Sequence, residues 1–255
     1  MEHHFERVAR VYSSVRNNDP AVVKEIISCL HIYKPHLEIA DIACGTGGYS
    51  KIIAAQLKSN IRLFCCDYSA EMLLECRKHM SQAFPSKHIH YCLTNANALP
   101  FADAGFDMIT TFNAIHHFDL DCFSAEAART LRPGGLLSIY TRTPEQNAHT
   151  IWGQHFPQFK QRETRLYQYE RIEAGINRLP KLHVETIKVF KNVRIESVDS
   201  LLNRARKYHY STFEMYPKNE LLQALEIFSK RLANLSNNGT IKHTAENTMV
   251  LARRI

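Results

Sequence analysis

The chain has 255 residues, 45% of them apolar, and a formal net charge of +7, enough for one large domain or one domain with an elaborated cap. No run approaches the roughly 18 apolar residues of a membrane span, and Met1-Glu2-His3-His4-Phe5-Glu6-Arg7 lacks the apolar core of a secretory signal, so membrane and exported classes are set aside and a cytoplasmic location is expected. Charge is lopsided: residues 1–150 carry 14 Lys+Arg against 15 Asp+Glu, whereas residues 151–255 carry 18 against 10, a balance that fits either an acidic partner such as RNA or an ordinary solvated surface.

In chain order, residues 5–15 show helix-like spacing of Phe5, Val8, Val11-Tyr12 and Val15. Asn17-Asn18-Asp19-Pro20 interrupts it, and Asp19 with Pro20 predicts the start of a helix over 21–30. A strand is predicted over 37–42, followed by a glycine turn (Gly45, Gly47, Gly48) and a helix over 49–57. The glycines allow a sharp turn and close approach of a ligand, and the helix start offers unpaired N–H groups. A strand over 61–66 ends at Asp67, 20 residues beyond Gly47, where a carboxylate can accept from a ribose diol. Ser69 caps a helix over 70–80, and Glu71 suits the helix dipole.

Further strands are predicted over 88–93 and 106–112, then a helix over 119–131, Pro133-Gly134-Gly135, and a strand over 136–141. Strands alternating with helices for about 100 residues argue for a doubly wound, mostly parallel sheet. After Thr143-Pro144 the alternation stops. Residues 145–183 predict two or three helices, 184–190 and 247–252 an antiparallel edge pair, and 198–206 and 219–235 helices. Seven cysteines (29, 44, 65, 66, 76, 92, 122) include no C-x-x-C pair, so reduced buried thiols and no metal site are expected.

The glycine turn does not fit the dinucleotide pattern G-x-G-x-x-G, because Ser50 stands at the last glycine. Asp41-Ile42-Ala43-Cys44-Gly45-Thr46-Gly47 instead resembles motif I of the class I S-adenosylmethionine-dependent methyltransferases, with Ala43 at the first glycine. Asp67-Tyr68-Ser69-Ala70-Glu71-Met72 resembles the family's ribose-and-adenine segment, and Asn95-Ala96-Asn97-Ala98-Leu99-Pro100-Phe101 its D-A-x-x-L-P-F run, with Asn for Asp. Asn113-Ala114-Ile115-His116-His117 and Leu131-Arg132-Pro133-Gly134-Gly135 also resemble family segments.

The resemblance, strong over 37–142, implies a seven-stranded Rossmann-like methyltransferase fold with S-adenosyl-L-methionine as cofactor. It implies a helical lid over 1–36, a cofactor-binding core over 37–143, a helical cap with a late strand over 144–243, and a final strand over 244–255 returning to the core sheet. Cofactor contacts implied are Asp41, Ala43, Gly45, Gly47, Asp67, Tyr68, Met72, Asn95, Ala96 and Phe112. Tyr12 and Arg16 would face the methionine end, or be a packed tyrosine and a surface arginine.

Methyl transfer from a sulfonium asks mainly for positioning and desolvation. The chain shows neither an N-P-P-Y-type loop nor a Pro-Cys nucleophile. His116 and His117 are therefore the candidate general bases, or else they order their own loop. The expected acceptor is a small molecule. The alternatives are an RNA acceptor using the basic half, and a cofactor-binding regulatory protein without transferase activity. Residues 144–243 should hold acceptor specificity, with some of Trp152, Phe156, Tyr167, Tyr169, Tyr208, Tyr210, Phe213 and Tyr216 lining an apolar pocket rather than a second core.

Overall fold

The computed structural model describes residues 8–10, 12, 17–30, 36–57 and 60–255. Its centre is β1 (His36–Ile42), paired in parallel with β2 (Asn60–Asp67) on one side and β4 (Phe106–Phe112) on the other. Every residue of β4 is buried, as a parallel strand covered on both faces requires. With β3 (His88–Leu93), β5 (Leu131–Thr141), β6 (Leu182–Ser197) and β7 (Thr240–Arg254), the sheet order is β3-β2-β1-β4-β5-β7-β6. Strands β1 to β5 are mutually parallel, and β7 runs antiparallel to both β5 and β6. The direction of winding reverses between β1 and β4, and the crevice beyond the carboxyl ends there is where such sheets hold ligands.

Local chemistry sets the helix starts. In α1 (Pro20–Ser28), Asp19 accepts from the Ala21 N–H at 2.9 Å, with Pro20 in the first turn. The glycine turn leads into α2 (Gly48–Gln56). In α3 (Ala70–Ala83), the Ser69 hydroxyl accepts from the Met72 N–H. Asp119 caps α4 (Leu120–Thr130) by accepting from the Cys122 N–H.

The strand after α4 starts at Leu131, five residues earlier than the predicted 136. Leu131 pairs with Phe106 and Leu136 with Met108, so the run from Arg132 to Gly135 bulges out of the ladder. The last two strands are also longer than predicted. They pair from Leu182↔Arg254 to Ser197↔Thr240, but β5 holds β7 only over 248–253. The rest projects as a two-stranded ribbon whose alternating half-exposed pattern gives no continuous apolar run to read.

That ribbon carries the cap. Helices α5 (Pro144–Ala148), α6 (Ile151–His155) and α7 (Phe159–Arg162) lead away from β5, α9 (Val198–Arg206) follows β6, and α10 (Lys218–Leu235) precedes β7. Together they bury Trp152, Phe156, Phe159, Phe213, Tyr216 and Phe228 in one cluster. Of the aromatic candidates, Trp152, Phe156, Phe213 and Tyr216 form a second core, because short helices on a ribbon have no sheet face to cover and must bury one another's rings. The late helix α8 (Tyr169–Asn177) is not part of that cluster; Ile172 and Ile176 pack with Leu120, Phe123 and Leu182 in the core of the sheet.

Candidate active site

At the end of β1 the backbone enters the left-handed region at Ala43 (φ 56°), Gly45 (φ 56°) and Gly47 (φ 81°). Ala43, at the family's first glycine, therefore holds a conformation that costs an L-residue about 1–2 kcal/mol, a constraint separate from crowding. Gly47 has both constraints, since a Cβ there would lie 2.7 Å from the Cys76 sulfur.

Asp67 holds this turn from the neighbouring strand. One carboxylate oxygen accepts from the Gly45 N–H at 2.8 Å and the other from the Ser69 N–H at 2.9 Å. Burial raises its pKa, and the N–H bonds from Ser69 and Gly45 act against that rise. Asp41 is elsewhere: it is enclosed beneath the turn, accepting from Ser50 at 2.5 Å and Thr110 at 3.2 Å. It supports the turn and does not line the cavity.

Above these groups lies a cavity of about 390 Å³. Of the residues named from sequence, Tyr12, Ala43, Gly45, Asp67, Tyr68 and Met72 line it, as do Asn95, Ala96, Phe112, His116 and His117. Gly47 faces a neighbouring cleft over α2, and Arg16 lies outside the described residues. Tyr68 is 59% exposed, whereas Met72 is buried against Val8 and Ala9. The Asn95 side-chain oxygen already accepts from the Asn97 N–H at 2.9 Å, so only a second lone pair is left for a ligand. Phe112 stacks on Tyr49 with ring centroids 3.9 Å apart. His116 and His117 share the 3-10 turn Ile115–His117, their rings 4.1 Å apart.

Most of the far half of the cavity was not read from sequence. Asn113, Arg142, Glu163, Leu166 and the stretch from His209 to Thr212 line it. Asn113 and Arg142 directly follow the carboxyl ends of β4 and β5, so their strand-end position was the available signal; among the cap residues here only Tyr210 was a candidate. Of the aromatic candidates, Tyr210 lines the cavity, while Tyr167 donates to the Phe118 carbonyl and Tyr169 is exposed.

Three thiols, Cys44, Cys65 and Cys76, bring their sulfurs within 4.8 Å of one another behind the turn. Burial pushes the Cys44 thiol well up, whereas hydrogen bonds from Cys44 and Cys76 hold the Cys65 thiol down.

Residues 39–135 match the family model described as a methyltransferase domain. That segment is a methyltransferase domain. Over 150 residues it is 33% identical to the probable tRNA methyltransferase 9B of Bos taurus, covering 57% of this chain and 30% of that protein. It is 32% identical over 108 residues to the ubiquinone/menaquinone biosynthesis C-methyltransferase of Geotalea daltonii, covering 42% of this chain and 46% of that one. The chain thus spans less than half the length of these curated relatives. Among solved structures, geranyl diphosphate C-methyltransferase from Streptomyces coelicolor, in complex with S-adenosyl-L-homocysteine, superposes with a TM-score of 0.58 at 15% identity, covering 92% of this chain and 76% of that one. The matched residues run from β1 to the start of β5, and the cap residues lie beyond them. No described helix is long and apolar enough to cross a membrane.

Proposed function

We propose that this methyltransferase domain passes a methyl group from S-adenosylmethionine to a small-molecule acceptor held between the ends of β4 and β5 and the cap. The supporting observation is a single cavity running from Asp67, Asn95 and Ala96 to His116, His117, Arg142 and Tyr210. The residues fit the cofactor. Asp67 offers a carboxylate to ribose hydroxyls, Gly45 presents backbone without a side chain below Tyr12, and Met72 forms an apolar wall. When bound, S-adenosylmethionine supplies an already activated methyl group. The protein's share is orientation and exclusion of water, with His116 or His117 taking a proton where the acceptor must lose one.

Calorimetry tests the cofactor half. S-adenosylhomocysteine should bind and NAD should not, and Asp67→Ala should weaken binding by about 1.5–3 kcal/mol, the range for hydrogen bonds to a charged group. Equal binding of NAD would end the reading. Once an acceptor is identified, the alanine variant of whichever histidine is the base should lose about 100- to 10,000-fold in turnover at unchanged cofactor affinity.

A second reading, an RNA acceptor, draws support from the tRNA methyltransferase relative and from the basic excess of residues 151–255. Salt separates the two. RNA binding through several phosphates falls log-linearly and steeply with salt, whereas binding of a small acceptor changes little. Micromolar RNA affinity at about 150 mM salt with a steep slope would replace the small-molecule reading.

A further inference from the structure

Three buried or half-buried arginines near the cap are neutralised by a carboxylate: Arg165 by Glu163, Arg204 by Glu196 and Arg162 by Glu220. Arg142 is different. It is half-buried in the wall of the cavity, immediately past β5. Its Nε donates to the Glu246 carbonyl at 3.4 Å, one terminal nitrogen to the Tyr210 hydroxyl at 3.0 Å and the other to the Asn247 side-chain oxygen at 3.4 Å. The Tyr210 ring also lies 5.2 Å from the guanidinium carbon. All these partners are neutral, and among the described residues no carboxylate lies within ion-pair distance of Arg142.

Of the acids nearby, two are paired with other cations and Asp19 is occupied by neutral donors. Glu163, across the cavity, pairs with Arg165 and accepts from Thr212. Asp19, in the small cleft behind Arg142, accepts from Tyr140, Asn192 and the Ala21 N–H. Glu246 turns its carboxylate to Lys191. Arg194 lines the same cleft as Arg142 and adds positive charge to it. A guanidinium taken partly out of water without a counter-charge is costly, yet a built network holds this one in place: Asn247, itself buried, accepts from Arg142 and donates to Asn113 at 2.6 Å. Three of the five guanidinium protons are engaged. One proton on each terminal nitrogen remains to donate to an oxyanion.

We infer that the methyl acceptor carries an oxyanion, a carboxylate or a phosphate, and that Arg142 is the residue that selects it. This inference rests on the proposed transferase reading. Apart from Tyr12, the proposed cofactor contacts stand at or just past β1 to β4 and in α3, whereas Arg142 follows β5 and shares its end of the cavity with Tyr210, so the anion it awaits is assigned to the acceptor. Lysine would supply charge without the planar guanidinium.

The test uses the full chain saturated with S-adenosylhomocysteine and titrated with acetate, benzoate and 1-naphthoate, each against its primary amide, and with phenyl phosphate. The carboxylate or the phosphate should bind at least tenfold tighter than the amides. Arg142→Met should abolish that preference, Arg142→Lys should restore part of it, and affinity for S-adenosylhomocysteine should stay within twofold in both. Tighter phenyl phosphate assigns a phosphate acceptor and tighter benzoate a carboxylate. Amides binding as well as carboxylates and phenyl phosphate to the unaltered chain would overturn the inference, and that comparison needs no variant to fold. An Arg142→Met variant that loses S-adenosylhomocysteine as severely as the anions would overturn it too, by assigning Arg142 to the cofactor. Failure of the unaltered chain to bind S-adenosylhomocysteine at all is a different result, and it removes the transferase reading itself.

Discussion

Asp41 is a carboxylate enclosed among neutral hydroxyls, and its position makes it a titrating element of the fold. Burial raises its pKa to about 7, against hydrogen bonds from Ser50 and Thr110 that pull the other way. Between the ordinary carboxylate value of 3.8 and about 7, the folded chain keeps this proton while the unfolded chain has lost it. The folded state therefore binds more protons in that window, so stability is highest below it, falls as pH rises through it and levels off above it. The slope attributable to Asp41 approaches about 1.4 kcal/mol per pH unit. Asp41→Asn should remove that slope from denaturation free energies measured between about pH 4 and pH 7. An unchanged slope in the variant would show that Asp41 is ionised in the fold. From sequence this residue was a cofactor contact, because a carboxylate at a strand end reads the same whether it faces a ligand or the underside of a turn. The burial that separates the two comes from Ser50 and Thr110, nine and 69 residues away.

At the scale of elements, the junction of the β6–β7 ribbon with α9 depends on one acid. Glu196 near the end of β6 accepts from Arg204 of α9 at 2.7 Å and from His243 of β7 at 2.7 Å. Burial alone would raise its pKa, but His243 and Arg204 outweigh burial and hold it down to about 2. A depressed acid stabilises the fold above its unfolded value and loses that contribution as pH falls toward the folded one. Glu196→Gln leaves Arg204, whose side chain is 8% exposed, without its counter-charge, a loss of about 3 kcal/mol for a buried pair. Hydrogen exchange should then accelerate in α9 and over 240–247 while β1 and β4 keep their protection. Acceleration spread evenly through the sheet would contradict this local role.

The molecule as a whole has two kinds of core, on the sheet faces and in the cap, joined by one pair of strands. β7 contributes Ile241 to the cap cluster and Met249, Val250, Leu251 and Ala252 to the sheet clusters. Shared hydrogen bonding along the ribbon should make the two unfold together. The single tryptophan, Trp152, is buried in the cap, so its fluorescence reports the cap, whereas far-UV dichroism reports sheet and helices throughout. The two denaturant transitions should coincide. A fluorescence transition at lower denaturant would show that the cap opens by itself.

The sequence by itself determined the features whose causes lie within a few residues of one another. Asp19, Ser69 and Asp119 cap their helices through bonds two or three residues long. The glycine turn, Asp67 at the end of β2 and the strands of the parallel sheet were legible as short runs rich in apolar and β-branched residues bounded by turn residues. The projecting ribbon was not, since its half-exposed strands lack that pattern, nor was the cap core, because aromatic spacing along short helices does not say which rings will meet. Only the tertiary structure decided that Trp152 would lie against Phe213 and Phe228, that Asp41 would be walled in, and that Arg142 would be held by Tyr210 and Asn247, 68 and 105 residues away. Such contacts form once the chain has folded back on itself, and no local pattern in the sequence encodes the distance they close.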